Sequence, residues 1–190
     1  KSVLDQTYPN KNINIFIIDG ESTDNTLSII TSLARKYKNI SIIKNPKRYQ
    51  AYAWNEGIKS SISPFISIIS AHCIISIDYI ENAVKILQNN DIALTGGHMV
   101  AKGDGLISSV IASLHHSKFG IGVGKFHDLS YEGYADTVYT FNLKRKTIND
   151  VGSFNTNLDR NQDIELSGRI REKGGKIFLE SEPGKGSTFR

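Results

Sequence analysis

The strongest constraint on the fold is an alternation of short β-branched segments with amphipathic segments of helical period in the first half of the chain. Residues 13–18 form a β-branched run that stops at Asp19-Gly20, and apolar residues recur at helical spacing over 27–37. The pattern then repeats, with predicted strands at 40–43, 65–69 and 92–95 and predicted helices at 50–61 and 80–87. Because parallel strands need crossover helices between them, this alternation predicts an α/β fold whose sheet carries helices on both faces.

The order of the predicted elements changes after Gly96-Gly97. The second half is predicted to hold a long apolar helix, a glycine-rich loop, a strand and two short helices, at 106–114, 120–124, 138–143, 147–151 and 163–173. Each short helix is followed by a glycine that suits a helix end. We therefore predict one domain in which an α+β half lies against a doubly wound, mostly parallel half.

The charge and composition of the chain limit the kinds of ligand that we expect it to bind. The chain has 190 residues and a net charge of +4, and its basic residues are scattered apart from small groups such as 44–48 and 144–146. This balance favours a phosphate-bearing small ligand, or a mild attraction to a membrane surface, over nucleic acid. The single cysteine, Cys73, excludes an internal disulfide and indicates a reducing, cytoplasmic setting. Serines and a histidine interrupt the longest apolar stretch, 62–77, so no membrane-spanning helix is predicted.

Ligands of open α/β sheets bind beyond the carboxyl ends of the strands. This rule places the loops at Asp19, 70–73 and 96–98 on one rim of the predicted sheet. Asp19 has two interpretations there, because it either accepts hydrogen bonds from a base or ribose hydroxyl or forms the turn before Gly20. Residue type alone leaves both interpretations open.

Two further groups fall near the same rim. Lys47 and Arg48 follow the second predicted strand, where they either neutralise a diphosphate or form an ordinary surface pair. His72 is a metal ligand, a proton carrier or a side chain bonded to the backbone at a strand end. Cys73 beside it is most simply a small buried hydrophobe, and no Cys/His spacing typical of zinc sites is present in the sequence.

A second polar cluster runs from Arg160 to Glu165. Asp163 either caps a helix or acts as a general base toward an acceptor hydroxyl. Asp163 and Glu165 are two residues apart, so they face different sides of a helix and do not form a same-face pair. The pair His115-His116 lies on an otherwise apolar helix and is interpreted as structural or interface-facing.

Taken in order, several segments resemble the family 2 glycosyltransferases, enzymes of the GT-A fold that transfer a sugar from a nucleotide-sugar. Asp-Gly-Glu-Ser-Thr-Asp at 19–24 is similar to the family's Asp-Asp-Gly-Ser-Thr-Asp loop, and Asn45-Pro46 with Ala-Trp-Asn-Glu-Gly at 53–57 matches its next loop and helix. Ser-Ala-His-Cys at 70–73 and Arg-Asn-Gln-Asp-Ile-Glu-Leu at 160–166 are similar to two motifs of the succinoglycan-type branch, which builds bacterial exopolysaccharide. In that branch the motifs read Asp-Ala-His-Cys and Arg-Asn-x-Asp-x-Glu-Leu. The resemblance covers residues 1–178, which implies a single GT-A domain.

The resemblance implies a catalytic and acceptor-binding cluster. Asp163 would be the base that deprotonates the acceptor hydroxyl in an inverting hexosyl transfer. Arg160, Asn161 and Glu165 would lie on the acceptor side. The implied acceptor is a polysaccharide or a lipid-linked glycan of cell-surface biosynthesis. Such an acceptor also implies a cytoplasmic protein with peripheral association at the inner face of the cell membrane.

The resemblance also implies a donor site. Asp19, Arg48, Asn55 and Ala71 would bind the nucleotide-sugar, with a UDP-sugar as the expected donor. His72 would face a divalent metal, Mg²⁺ or Mn²⁺, that neutralises the departing nucleoside diphosphate.

Four departures from the family pattern bear on the function. One is Phe141, which replaces a usual glycine in the stretch after 136–138. Two others, a missing first strand and Ser70, motivate an alternative function. The family's first strand is missing before Lys1, and Ser70 stands where the metal motif has an Asp, which removes a hard oxygen ligand. Residues 179–190 leave the pattern and resemble the end of a histidine-kinase ATP-binding domain, a piece too short to bind ATP, so we interpret them as a chance match or a joined fragment. The alternative is a non-catalytic nucleotide-sugar-binding module or an inactive remnant of the same fold.

Overall fold

The computed structural model of the chain describes residues 1–101, 105–115, 125–128, 130–180 and 187–189. The predicted loop at 120–124 and His116 lie outside the described residues. In chain order the strands are β1 Ile15–Asp19, β2 Ile40–Lys44, β3 Phe65–Ile68, β4 Cys73–Ile74, β5 Ile92–Gly97, β6 Met99–Ala101, β7 Gly133–Tyr134, β8 Phe141–Lys144, β9 Lys176–Glu180 and β10 Ser187–Phe189. The α-helices are α1 Thr26–Lys36, α2 Gln50–Ser60, α3 Tyr79–Gln88, α4 Leu106–His115, α5 Arg145–Val151 and α6 Gln162–Glu172. Short 3-10 turns cover Asn10–Asn12 and Lys125–His127.

The predicted α/β alternation of the first half is confirmed, with boundaries that move by only a few residues. Helix α1 begins at Thr26, where the Asp24 carboxylate accepts the Thr26 backbone N–H at 2.9 Å. The predicted glycine stops are also confirmed, because Gly152 after α5 and Gly174 after α6 take φ values of 87° and 78°. These left-handed values are ones that residues with a Cβ rarely adopt.

The strands form three groups. β1 pairs with β2 in parallel, and within the described residues neither of them pairs with another strand. The main sheet has five strands in the order β3-β8-β5-β9-β7, and a small sheet has the order β4-β10-β6. β10 lies within residues 179–190, so part of that segment pairs with the rest of the protein.

In the main sheet β3, β5 and β9 run in one direction, and two strands of the second half, β7 and β8, run against them. β8 runs antiparallel to both β3 and β5, and β7 runs antiparallel to β9, while β5 and β9 are parallel. The β-branched pattern of a segment shows that it is a strand but not which way it enters the sheet. The direction of β8 follows instead from the path of the chain through the second half.

The core lies between the main sheet and helices α2, α5 and α6. Its fully buried centre consists of Leu94, Leu143, Leu166 and Leu179, contributed by β5, β8, α6 and β9. This packing holds α6 against β5, β8 and β9 of the main sheet. A second buried cluster of Ile75, Tyr79 and Ile80 anchors α3, and Val3 and Tyr8 from the chain start pack against it.

No helix among the described residues is both long enough and apolar enough to cross a membrane.

Candidate active site

The loop after β1 is closed by the carboxylate of Asp19. This residue is 7% exposed, and its two oxygens accept the Ser22 hydroxyl at 2.6 Å and the Ser22 backbone N–H at 3.2 Å. The turn-forming interpretation of Asp19 is therefore realised. Each carboxylate oxygen has a second lone pair, so the same geometry leaves an acceptor available for a ligand donor.

The loop after β2 is tied to the loop after β1. The Asn45 backbone N–H donates to the Asp19 carbonyl at 2.7 Å, and the Asn45 side chain donates to the Tyr49 carbonyl at 3.0 Å. Arg48 Nη2 then contacts Glu21 Oε2 at 2.9 Å, with both side chains largely exposed. An exposed ion pair of this kind contributes little stability. The Arg48 guanidinium is thus held at the Asp19 rim by a contact that a stronger anion can displace.

A pocket opens between α2, the end of β3, the segment before β8 and the start of α6. Its walls come from both halves of the chain. The lining residues are Gln50, Trp54, Ile68, Ser70, Tyr139, Thr140, Phe141, Phe154, Asp159, Arg160, Asn161, Gln162 and Asp163. The structure therefore brings Ser70 together with Arg160, Asn161 and Asp163. The other predicted site residues do not line this pocket, namely Asp19, Arg48, Asn55, Ala71, His72 and Glu165.

Asp163 lies in the first turn of α6 and is half-buried at the pocket wall. The capping interpretation of Asp163 is wrong, because Asn161 occupies the N-cap position with a left-handed φ of 60°. A carboxylate in the first turn of a helix is stabilised by the helix dipole. The arrangement leaves the Asp163 carboxylate directed to the pocket rather than used for the helix start.

Glu165 has a different environment, as the two-residue spacing predicted. Its carboxylate accepts Arg169 Nε at 2.6 Å and Nη2 at 2.8 Å. The same guanidinium donates to the carbonyls of Val151, Gly152 and Ser153 at 2.5–3.2 Å. Bidentate pairs of this kind are strong and directional. Through Arg169, Glu165 fixes α6 to the loop after α5.

Asn55 also holds the pocket wall rather than lining it. Its Nδ2 donates to the Phe154 carbonyl at 2.9 Å, and its Oδ1 accepts the Phe154 backbone N–H at 3.0 Å. Phe154 is 3% exposed and stacks on Trp54 with ring centroids 4.6 Å apart. The sequence did not reveal this pair, because its members lie 99 positions apart. The only local signal for a special role of Asn55 was its position two residues before Gly57 in α2.

The corner after β3 presents its side chains in two directions. Ala71 and His72 are exposed, while Cys73 is buried in β4. The Cys73 Sγ lies 3.3 Å from the Tyr139 hydroxyl, and burial together with the neighbouring Cys73 raises the pKa of Tyr139 above its ordinary value. In the part of the chain that the structure describes, no three His, Cys, Asp or Glu side chains come together. The protein alone therefore offers His72 and the Ser70 hydroxyl at this corner, and no carboxylate cage.

A hydrogen-bond network that is buried except at Ser67 adjoins the pocket through Thr140. The Tyr79 hydroxyl from α3 contacts Thr140 Oγ1 and accepts Asn142 Nδ2 at 2.7 Å, and Ser67 donates to Asn142 Oδ1 at 2.7 Å. Thr140 is part of the pocket wall. Burial raises the pKa of Tyr79 to about 12. The network therefore connects α3, β3 and β8 through groups that stay neutral at physiological pH.

Comparison with known sequences gives a family and several relatives. The profile described as "Glycosyl transferase family 2" matches residues 1–162. The dolichyl N-acetyl-α-D-glucosaminyl phosphate 3-β-D-2,3-diacetamido-2,3-dideoxy-β-D-glucuronosyltransferase of Methanococcus voltae is 32% identical over 92% of this chain and 57% of its own length. The succinoglycan biosynthesis protein ExoA of Rhizobium meliloti is 27% identical over 88% of this chain and 52% of its own length. The chain thus spans between one half and three fifths of these two relatives.

Comparison with solved structures gives the fold. The structure of S. aureus TarS 1–349 in complex with UDP-GlcNAc superposes with a TM-score of 0.73 at 15% identity, covering 100% of this chain and 53% of that one. GalNAc-T7 with UDP, GalNAc and Mn²⁺ superposes with a TM-score of 0.72 at 16% identity, covering 99% of this chain and 39% of that one. Both are GT-A glycosyltransferases, so the predicted fold class is confirmed.

Proposed function

The chain belongs to glycosyltransferase family 2, and from this premise we propose that it transfers a hexose, with inversion, from a nucleotide-sugar to a glycan or lipid-linked acceptor. The observation that carries the proposal is the Asp163 carboxylate on the wall of a pocket that also contains Ser70 of the corner after β3.

In the proposed reaction Asp163 acts as the general base. An acceptor hydroxyl in the pocket loses its proton to the Asp163 carboxylate as its oxygen bonds to the anomeric carbon of the donor sugar. The bond from that carbon to the diphosphate breaks on the opposite face, and its electron pair leaves with the nucleoside diphosphate. Attack and departure on opposite faces invert the anomeric centre. Arg160 and Asn161, which are exposed at the same wall, are proposed to orient the acceptor.

We place the nucleotide of the donor at the rim formed by the loops after β1 and β2. Asp19 has spare acceptor capacity there, and Arg48 carries a displaceable guanidinium beside it. Asn55 supports the donor site by holding Phe154, and Ala71 borders it at the exposed corner. The UDP-GlcNAc bound in the TarS structure and the UDP bound in the GalNAc-T7 structure favour a UDP-sugar.

A divalent metal fits this site only jointly with the donor. His72 and the Ser70 hydroxyl supply few hard oxygen ligands, whereas Mg²⁺ takes most of its ligands from phosphates and water. We propose that the exposed His72 imidazole is the protein's ligand and that diphosphate oxygens complete the coordination. Such a metal would neutralise charge on the departing diphosphate.

The acceptor is proposed to be linked to a lipid. The Methanococcus relative is named for action on a dolichyl phosphate sugar, and the Rhizobium relative for succinoglycan biosynthesis. A lipid-linked acceptor would place the protein at the cytoplasmic face of a membrane. Glu165 would act on the acceptor side only through Arg169, by fixing the position of α6.

A second candidate function is non-catalytic binding of a nucleotide-sugar. It is favoured by Ser70 at the corner after β3, where a hydroxyl replaces the carboxylate typical of the motif. The two candidates differ in turnover and not in donor binding.

Titration of UDP-sugars with and without Mn²⁺, followed by a measurement of sugar transfer or release, separates the candidates. Asp163→Asn should lower turnover about 10²- to 10⁴-fold while leaving UDP affinity unchanged, because it removes only the base. Asp136→Asn is the matched control, since that carboxylate is 83% exposed and lies outside the pocket. Donor binding without any turnover in the unmodified chain would contradict the enzymatic proposal.

The same titration tests the metal ligand. His72→Ala should reduce the Mn²⁺-dependent part of UDP affinity and leave the metal-independent part intact. An unchanged Mn²⁺ dependence in His72→Ala would remove His72 from the proposed site.

A further inference from the structure

Helix α4 exposes an unusual amount of aliphatic side chain. Of the α4 residues whose exposure the structure describes, 106–114, Ala112 is the buried one, and Ser108, Ser109 and Ser113 are exposed together with five large aliphatic residues. These five residues, which we call the α4 face, are Leu106, Ile107, Val110, Ile111 and Leu114, with exposures of 85%, 77%, 55%, 51% and 49%. Contiguous apolar surface of this kind on a protein marks an interaction site.

The α4 face is directed away from the protein body. At about 100° per residue, its five members fall within an arc of about 140° on one side of the helix. Ala112, which packs inward, lies about 170° from the centre of that arc. Helix α4 therefore contacts the protein through a small residue and turns its large aliphatic side chains outward, which reverses the usual arrangement of an amphipathic helix.

Two serine hydroxyls of α4 have acceptors within the helix or directly before it. The Ser108 hydroxyl donates to the Gly105 carbonyl at 3.1 Å, and the Ser113 hydroxyl donates to the Ser109 carbonyl at 2.9 Å. Hydroxyls bonded to their own helix cost little to transfer to a less polar medium. The helix is thus compatible with an apolar surrounding along its outer side.

The position of α4 relates it to the candidate active site. Helix α4 packs on β6, and β6 is joined through β10 to β4, the strand that begins directly after His72. Helix α4 and the corner after β3 therefore adjoin the same small sheet, at β6 and at β4 respectively. A surface covered by α4 would lie at the edge of the proposed site.

The charged residues in the sequence that flanks α4 indicate which kind of surface the helix could bind. Helix α4 has no acidic residue, and the sequence between Ala101 and Phe126 has three lysines against one aspartate. One of those lysines, Lys125, is exposed in the 3-10 turn that also packs on β6. This balance suits an anionic surface.

A second copy of the chain is a poorer occupant than a lipid surface. A ten-residue helix is about 15 Å long, so the α4 face covers a few hundred Å² at most. A stable protein interface needs about 800 Å² from each partner. Insertion of a short apolar helix face at the boundary of lipid headgroups and acyl chains needs no such area.

We infer that the α4 face lies in the surface of an anionic lipid bilayer, with the helix axis parallel to the membrane plane. This inference rests on the proposed function in one respect, since a lipid-linked acceptor is presented at a bilayer surface. It adds to that function the specific surface through which the protein binds.

Flotation of the purified chain with lipid vesicles tests the inference. The vesicles contain either phosphatidylcholine alone or equal parts of phosphatidylcholine and phosphatidylglycerol. The test variant is Ile107→Gln with Ile111→Gln, and the matched control is Ile29→Gln with Ile62→Gln, which removes two isoleucines of 58% and 95% exposure located elsewhere. Glutamine is a good helix former, so α4 should persist in the test variant.

We expect the unmodified chain and the control to float with the anionic vesicles, and the test variant to lose about tenfold in bound fraction. Equal binding by the test variant and the control overturns the inference. So does an unmodified chain that stays unbound and sediments as a dimer that the test variant does not form, since this result assigns the α4 face to a second copy.

UDP binding by the same variants separates this inference from the proposed function. No residue of the α4 face is among those placed at the donor rim, so the test variant should keep its UDP affinity. Vesicle binding without UDP binding would reject the proposed function alone. Turnover that depends on Asp163, together with absent vesicle binding, would reject the α4 inference alone.

Discussion

At the scale of single residues, Tyr79 links helix α3 to the wall of the candidate active site. Its hydroxyl contacts Thr140 Oγ1 and accepts a hydrogen bond from Asn142 in a fully buried setting. Removing the hydroxyl would leave the Asn142 donor with one partner fewer in the interior. Buried groups that lose a partner cost about 1–3 kcal/mol.

Tyr79 also predicts a pH dependence of stability. Burial raises the pKa of Tyr79 from its ordinary value of 10.0 to about 12. Above pH 10 the unfolded chain loses the phenol proton while the folded chain keeps it, so rising pH favours unfolding. The contribution of the Tyr79 pKa shift to the free energy of unfolding is therefore complete below pH 10 and is lost between pH 10 and about 12. This loss is on the order of 2 kcal/mol.

Urea unfolding at several pH values between 8 and about 12 measures this effect. Tyr79→Phe should destabilise the chain at pH 8 and show a shallower loss above pH 10 than the unmodified chain. Tyr49→Phe, which changes a 58% exposed tyrosine, should change neither quantity. Identical pH profiles for the unmodified chain and Tyr79→Phe would refute the argument.

Three residues with left-handed backbone conformations also bear on the site. Within the described part of the chain, the non-glycine residues with positive φ are Glu21, Arg48 and Asn161. Glu21 and Arg48 form the ion pair at the donor rim, and Asn161 begins α6 beside the pocket. Such conformations cost of order 1–3 kcal/mol and concentrate at functional sites. Their positions agree with the placement of the donor and acceptor sites.

At the scale of secondary-structure elements, the approach of β5 to the segment before β8 depends on Gly96. A Cβ at Gly96 would overlap the Thr140 carbonyl oxygen and lie 2.7 Å from Val138. Both neighbours are buried, and Thr140 is part of the pocket wall. Gly96 therefore allows β5 to pass beneath the pocket.

Gly96→Ala should destabilise the chain by about 3 kcal/mol, because neither the carbonyl nor Val138 can move freely. Gly168→Ala is a matched control in α6, where a Cβ would have no neighbour within 4 Å. That substitution should stabilise the chain by about 0.5–1 kcal/mol through higher helix propensity. Urea unfolding of both variants provides the measurement, and equal stabilities would rule out crowding at Gly96.

At the scale of the whole molecule, the strand pairs differ in how well they are protected. β1 and β2 form a separate pair, and in β1 only Asp19 is fully buried. The main sheet instead contains Leu94 and Leu143, both 0% exposed. Regions with few buried apolar groups open locally at lower free energy than the core.

Hydrogen exchange should therefore be faster at 15–19 and 40–44 than at 92–97 and 141–144, by about tenfold or more. Addition of UDP should slow exchange in the first two segments and leave the last two unchanged, because the proposed donor rim lies at the end of β1. Mass spectrometry of peptic peptides reports both effects. Protection confined to 159–163 on UDP addition would instead move the nucleotide to the pocket and away from Asp19.

The sequence by itself determined the local elements of the first half and the glycine ends of α5 and α6. These features depend on residues that lie within a few positions of one another, such as the β-branched run before Asp19 or Gly152 after α5. The motif resemblance likewise predicted the family.

Only the tertiary structure decided the features that join distant segments. The antiparallel entry of β8, the pairing of Asn55 with Phe154 and the use of Glu165 by Arg169 all depend on how the two halves of the chain pack. The apolar spacing of 106–114 predicted a helix but not which way its apolar side faces. A helix that buries this side and a helix that exposes it have the same spacing in the sequence. Its outward orientation follows from Ala112, the small residue through which α4 meets the protein.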